Sequence, residues 1–190
     1  MAKFLLIDNG SLHTMELAKL LPTTPTILRF GDIKTHDFVG YDCIILSGSS
    51  QLPVIGNEDI FKRELALIHD AHTPIIGVCL GAELIGHAFG AVLHDLGERR
   101  KGLIDIISTD ANEVLLEAGR HFSVYDAHRW ALKTIPNDFE VLAQSDHGPE
   151  IIKHTARHLW GLQFHPEHLT DSTLGDEIFS RILIHSIPQK

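Results

Sequence analysis

Cys79 lies between two glycines in Gly77-Val78-Cys79-Leu80-Gly81, directly after the apolar run that starts at Pro74. A sharp strand-to-helix turn needs residues without a Cβ where backbones approach closely. The spacing Gly-x-nucleophile-x-Gly is the elbow that lifts a nucleophile above a sheet. A helix N-terminus offers free N–H groups and a partial positive charge, both of which favour a thiolate. A buried cysteine at a tight turn accounts for the same residues equally well. The second reactive candidate is Gln163-Phe164-His165-Pro166-Glu167-His168. Residues i and i+2 of an extended segment face one side, so His165 and Glu167 are expected together, with Pro166 restricting the backbone between them. A carboxylate beside an imidazole fixes its tautomer and stabilises its cation, and a base so oriented is what a cysteine nucleophile requires. The plainer reading is a strand-end histidine next to an unrelated glutamate. His165 and His168 as metal ligands lack a third ligand at any evident spacing.

The elements that would carry these groups alternate along the first half of the chain. Lys3–Asp8 reads as a strand closed by the turn signal Asp8-Asn9-Gly10. Ser11 is placed to cap a helix whose apolar positions are Leu12, Met15 and Leu20. Thr26–Phe30 and Cys43–Leu46 read as further strands, the latter as one buried on both faces. Ser47-Gly48-Ser49-Ser50 must be a loop. Asn57 is placed to cap a helix to about His72, with Ile60, Phe61, Leu65 and Ile68 on its core face. Pro74–Val78, the elbow and a helix to about Phe89 follow. This alternation predicts an open parallel α/β sheet, in which ligands bind beyond the carboxyl ends of the strands. Both Ser47–Ser50 and Cys79 fall at such ends.

The second half holds short strands at 102–107, 121–125, 139–143, 150–153 and 159–164, separated by turn residues, which predicts antiparallel additions. A last helix from about Thr173 to His185, capped by Asp171 or Ser172, places Leu174, Ile178, Ile182 and His185 on one face. At 190 residues the chain fits one domain, 1–190. A formal charge of -9 with no long basic run argues against nucleic acid or a membrane as partner. No apolar stretch reaches spanning length. The N-terminus meets Asp8 too soon for a signal peptide, and Cys43 and Cys79 make no disulfide framework, so a cytoplasmic location is expected. Fourteen histidines form no metal-binding motif, and neither a metal nor a cofactor is expected.

Taken together, the elbow, the His-x-Glu and their order resemble the class I glutamine amidotransferases. The resemblance extends over Asp8-Asn9-Gly10, Ile45-Leu46-Ser47-Gly48, the Cys79 elbow, His87-Ala88-Phe89-Gly90-Ala91 and Gly161–Glu167. Within that family the motifs are most similar to the separate glutaminase subunits of GMP synthetase and anthranilate synthase. The resemblance implies a flavodoxin-like three-layer sandwich with a mostly parallel central sheet and antiparallel additions in the C-terminal half. It implies Cys79, His165 and Glu167 as a triad that hydrolyses the glutamine side-chain amide through a γ-glutamyl thioester. The oxyanion would be held by the backbone N–H groups of Gly48 and Leu80. Ammonia would pass to a synthase expected on a separate polypeptide.

Three positions depart from the family pattern, and all concern substrate recognition. Ser49 stands where the oxyanion loop has a glycine, Glu83 where Cys-x-Gly-x-Gln ends, and Ala127, before His128, where the family has serine. An ionised Glu83 accepts hydrogen bonds and cannot donate them. The alternatives are therefore a free-standing hydrolase of another γ-glutamyl compound, or a non-catalytic regulatory homologue that keeps the fold.

Overall fold

A computed structural model describes residues 1–34, 38–70, 72–109, 114–115, 119–169 and 173–187. The strands are β1 (Phe4–Asp8), β2 (Thr26–Arg29), β3 (Cys43–Leu46), β4 (Ile75–Val78), β5 (Val92–Asp95), β6 (Gly102–Ser108), β7 (His121–Asp126), β8 (Trp130–Thr134), β9 (Phe139–Ser145), β10 (Gly148–His154) and β11 (Leu159–Leu162). The α-helices are α1 (Thr14–Lys19), α2 (Glu58–Asp70), α3 (Leu80–Ala88) and α4 (Gly175–Ser186). Nine strands form one sheet in the order β2-β1-β3-β4-β11-β10-β9-β6-β7. The five from β2 to β11 are parallel, and β10, β9, β6 and β7 continue as antiparallel neighbours. Only β10 and β6 therefore run against the rest of this sheet. The expected mostly parallel sheet with antiparallel additions in the C-terminal half is what the chain forms.

Alternation along the parallel strands divides the core into two layers. Phe4 and Leu6 of β1 join Leu17 of α1 and Ile178, Phe179 and Ile182 of α4 on one face. Leu5 and Ile7 join Phe61 and Ile68 of α2 and Leu84 and Ile85 of α3 on the other. Helices thus cover both faces of the sheet as a three-layer sandwich. Strands β3, β4 and β11 are buried along their whole length, as continuous apolar runs require.

Several local expectations are corrected. Helix α1 starts at Thr14 and buries Thr14, Leu17 and Ala18, leaving Leu12 and Met15 exposed. The Ser11 hydroxyl accepts from the His13 N–H in the preceding turn and does not cap the helix. In α2, Ile60 is exposed, and Glu64 takes a buried place beside Phe61, Leu67 and Ile68. Asn57 does hold the cap position of α2, its carbonyl accepting from the Ile60 and Phe61 N–H groups, while its side-chain amide donates to the Pro53 carbonyl. Helix α4 begins after Leu174 with no side-chain cap, and Asp171 and Ser172 lie outside the described residues. Strands β5 and β8 carry no alternation by which they could be expected. They pair as an antiparallel ribbon separate from the main sheet, with Leu93 and Leu132 buried beneath it in the layer of α2 and α3.

Candidate active site

The carboxyl ends of β1, β3, β4 and β11 converge on Cys79. Its backbone is the one non-glycine backbone with positive φ among the described residues, at φ 51° and ψ -108°. That conformation costs an L-residue about 1–2 kcal/mol and persists where its surroundings hold it. Here the Cys79 N–H donates to the Leu162 carbonyl at 2.7 Å, and the Cys79 carbonyl accepts from the Ala82 and Glu83 N–H groups in the first turn of α3. The flanking glycines are required by contact. A Cβ on Gly77 would strike the Gly81 backbone, and one on Gly81 would strike the Leu46 backbone. The elbow predicted from spacing is therefore a real turn, clamped between β3 and β11.

Gly48 brings the second group in. A Cβ there would lie 3.3 Å from Cys79 Cβ and 3.3 Å from His165 Cε1. The cysteine and the histidine thus flank one small gap lined by Gly48 backbone. His165 Nδ1 lies 2.8 Å from Glu167 Oε1. A carboxylate facing a neutral imidazole takes the N–H, which leaves Nε2 as the acceptor. That Nε2 is buried and has no hydrogen-bond partner. The pair sits in a turn beyond β11 and not on an extended strand as expected, with the His168 N–H bonded back to the His165 carbonyl. The turn brings the side chains together as an i, i+2 strand pair would.

The surroundings of the thiol pull its pKa both ways. Burial pushes the Cys79 pKa well up, and the nearby carboxylates of Glu83, Glu167 and Asp126 push it further. The Leu80 N–H at the start of α3 pulls it down, but by less. Burial and the acids around Cys79 thus oppose the pull toward thiolate that the start of α3 supplies. Cys43 is inert for a simpler reason: it is fully buried in β3, and burial raises it to about 12.

A cavity of about 430 Å³ opens beside Cys79. One wall is Ser49–Pro53, Leu80 and Glu83; the other is Asp95, Arg99 and Ala127–Trp130. All four residues expected to bind substrate (Ser49, Glu83, Ala127 and His128) line it. The Ser49 hydroxyl accepts from the Gln51 and Leu52 N–H groups, so it folds its own loop. Glu83 is buried, accepts from Gln163 Nε2 at 3.2 Å, and is raised by burial to about 7. The Ala127 carbonyl accepts from Arg99 Nε. His128 Nδ1 lies 2.7 Å from the Trp130 carbonyl and its Nε2 lies 2.8 Å from Asp126 Oδ1. Burial is the largest influence on His128 and lowers its pKa, but Asp126, Glu150 and Glu83 together outweigh it and the net direction is up.

Sequence reasoning missed the ribbon wall with Arg99, Arg129 and Asp95, where Arg129 and Asp95 form a two-pronged pair. It also missed the buried acids Asp126, Glu150 and Glu64, because a lone carboxylate leaves no spacing pattern. Gln163 stood within a recognised motif, but its partner Glu83 comes from another element and could not be read from it.

The model for the glutamine amidotransferase class-I family matches residues 5–186. The chain belongs to the class I glutamine amidotransferase family. This amidotransferase is 33% identical over 178 residues to the glutamine-hydrolysing GMP synthase subunit of Methanosphaera stadtmanae, covering 93% of this chain and 84% of the relative. It is 30% identical over 174 residues to the Pyrococcus furiosus protein of the same name, covering 86% and 88%. In fold it matches a Thermoplasma acidophilum crystal structure provisionally described as a GMP synthase subunit, with TM-score 0.84, 24% identity and coverage of 96% and 92%. A Thermotoga maritima glutamine amidotransferase superposes with TM-score 0.81 at 14% identity, covering 99% of each chain. The amidotransferase is thus an enzyme of the flavodoxin-like sandwich class, and its relatives favour the GMP synthase branch. Among its described residues no helix is long and apolar enough to cross a membrane.

Proposed function

We propose that residues 1–190 form one glutaminase domain, which hydrolyses the glutamine side-chain amide and supplies ammonia to a separate synthase subunit. The observation that carries this reading is the gap beside Gly48, flanked by Cys79 and by a His165 whose other nitrogen is engaged by Glu167. His165 Nε2 removes the thiol proton as Sγ attacks the amide carbon. The oxyanion is met by the N–H groups of Leu80 and Gly48, and each such donor is typically worth about 2.7–4 kcal/mol at the transition state. His165 then gives its proton to the departing nitrogen, the C–N bond breaks, and a γ-glutamyl thioester remains. Water, deprotonated by His165, attacks the thioester; the C–S bond breaks, His165 returns the proton to Sγ, and glutamate leaves. Glu167 holds the imidazole in place and stabilises its cation.

The relatives' names point to the kind of acceptor: a synthase that aminates a nucleotide to give GMP. Purified protein, alone or mixed with such a synthase, is expected to release ammonia from glutamine, and Cys79→Ala to abolish release. Absence of ammonia under both conditions overturns the reading. One observation favours a second reading, hydrolysis of a different γ-glutamyl compound. Glu83 presents a buried carboxyl to the cavity where the family pattern has an amide. A panel of γ-glutamyl amides separates the two: this reading requires glutamine to be a poor substrate and another amide a good one.

A further inference from the structure

Behind the ribbon-side wall of the cavity lies a cluster that the proposed reaction does not use. It comprises Asp126 at the end of β7, His128 two residues on, and His147 in the turn between β9 and β10. One ligand atom from each lies within 4.8 Å of the others. Topology explains the meeting, because β7 and β9 both end at the edge that carries Cys79.

Four atoms here, both Asp126 oxygens, His128 Nε2 and His147 Nδ1, are buried and meet one another as two charge contacts. Asp126 is fully buried. Its oxygens lie 2.8 Å from His128 Nε2 and 3.5 Å from His147 Nδ1, so one carboxylate faces two imidazoles.

We propose that Asp126, His128 and His147 bind a divalent transition-metal ion of the Zn²⁺ class. Two imidazole nitrogens and one carboxylate oxygen are the donors such ions select over Mg²⁺ or Ca²⁺, which take oxygen ligands. The outer contacts fit. His128 Nδ1 lies 2.7 Å from the Trp130 carbonyl, which can only accept, so Nδ1 carries the hydrogen and a neutral imidazole turns its Nε2 lone pair toward the ion it would share with Asp126. That is the arrangement metal-bound histidines adopt. Glu150, buried and held by the Ser145 hydroxyl, adds a second carboxyl to the surroundings of the dication. The His147 side chain is 23% exposed, which gives the ion a route from solvent and room for a water as a further ligand. Since His128 also lines the cavity, a bound ion would stiffen the wall facing Cys79 without touching the thiol.

The test is titration of the chelator-treated protein with Zn²⁺ alone, read by calorimetry, with Co²⁺ absorption as a second probe of coordination. The expected result is one strong site per chain, weakened in His147→Gln by at least the roughly ten-fold that outer-shell partners already carry. His147 is partly exposed, so this variant should fold, and its circular dichroism and Tm check that. Cys79→Ala should bind as tightly as the parent, which separates this site from the thiol and from the proposed glutaminase reaction. His121→Gln, a histidine outside the cluster, should also leave affinity unchanged. The proposal is overturned if no one-to-one site exists, if His147→Gln folds and binds unchanged, or if Cys79→Ala removes the site.

Discussion

Glu83 sits in the first turn of α3, four residues past Cys79, and after burial it is the leading influence that raises the thiol. Its own carboxyl is raised by burial to about 7, so its effect on Cys79 depends on pH. Above pH 7 Glu83 carries its charge and opposes the thiolate; well below, it is neutral. Glu83→Gln keeps a group that can accept from Gln163 and removes the charge. At pH 8 the variant should therefore alkylate with iodoacetamide several-fold faster at Cys79, since each unit of pKa is worth about ten-fold in thiolate. At pH 6 the two proteins should react alike. Equal acceleration at both pH values would mean that space and not charge is responsible. Cys43, buried and raised to about 12, serves as the silent internal control. At this scale Cys79, His165 and Glu167 were legible in the sequence, because each sits in a spacing that its chemistry demands. Glu64, Asp126 and Glu150 were not, because burial of a single acid is decided by distant elements.

At the scale of elements, the elbow depends on how closely backbones can approach. Gly48 tests this, because the loop after β3 carries it into the gap between nucleophile and base. Gly48→Ala places a methyl 3.3 Å from both Cys79 Cβ and His165 Cε1. Such crowding typically costs about 1–3 kcal/mol of stability. Activity should fall far more, by roughly 10²-fold or beyond, because a misplacement of about 1 Å at reacting atoms has that effect. Urea denaturation beside a kcat measurement separates the two, and a variant of near-parental activity would remove Gly48 from the site. Element type was readable along the parallel strands, where apolar runs end in turn residues. Element faces were less so. Helix α1 is six residues long, and a start at Thr14 instead of Ser11 turns Leu12 and Met15 outward. The β5–β8 ribbon escaped notice because its strands are four and five residues long and bury little of their own pattern.

For the molecule as a whole, a carboxyl far from any solvent shapes how stability responds to pH. Glu64 lies in α2 against Asn9, whose amide donates to the Ser47 carbonyl, and burial raises Glu64 to about 8. A carboxyl raised in the folded state contributes stability that is complete below its unfolded value of about 4.5. That contribution is lost as pH climbs through 8. Glu64→Gln remains neutral throughout. Relative to this variant, the parent should lose on the order of 2–4 kcal/mol between pH 5 and pH 9. Urea midpoints at the two pH values check it, and parallel behaviour of the two proteins would show that Glu64 is ionised in the fold. Glu83, raised in the same direction, adds a further share, so the chain as a whole should be most stable on the mildly acidic side.

The ribbon of β5 and β8 has a consequence of another kind. Cys79, Gly48 and His165 hang from the carboxyl ends of buried parallel strands, whereas Asp95, Arg129 and Trp130, at the ribbon's end, face them across the cavity. Reactivity and selectivity are thus housed in separately hydrogen-bonded units, joined mainly by burial of Leu93 and Leu132. An architecture so divided lets inheritance redraft the ribbon, residue by residue, while the machinery that breaks the bond is left as it was.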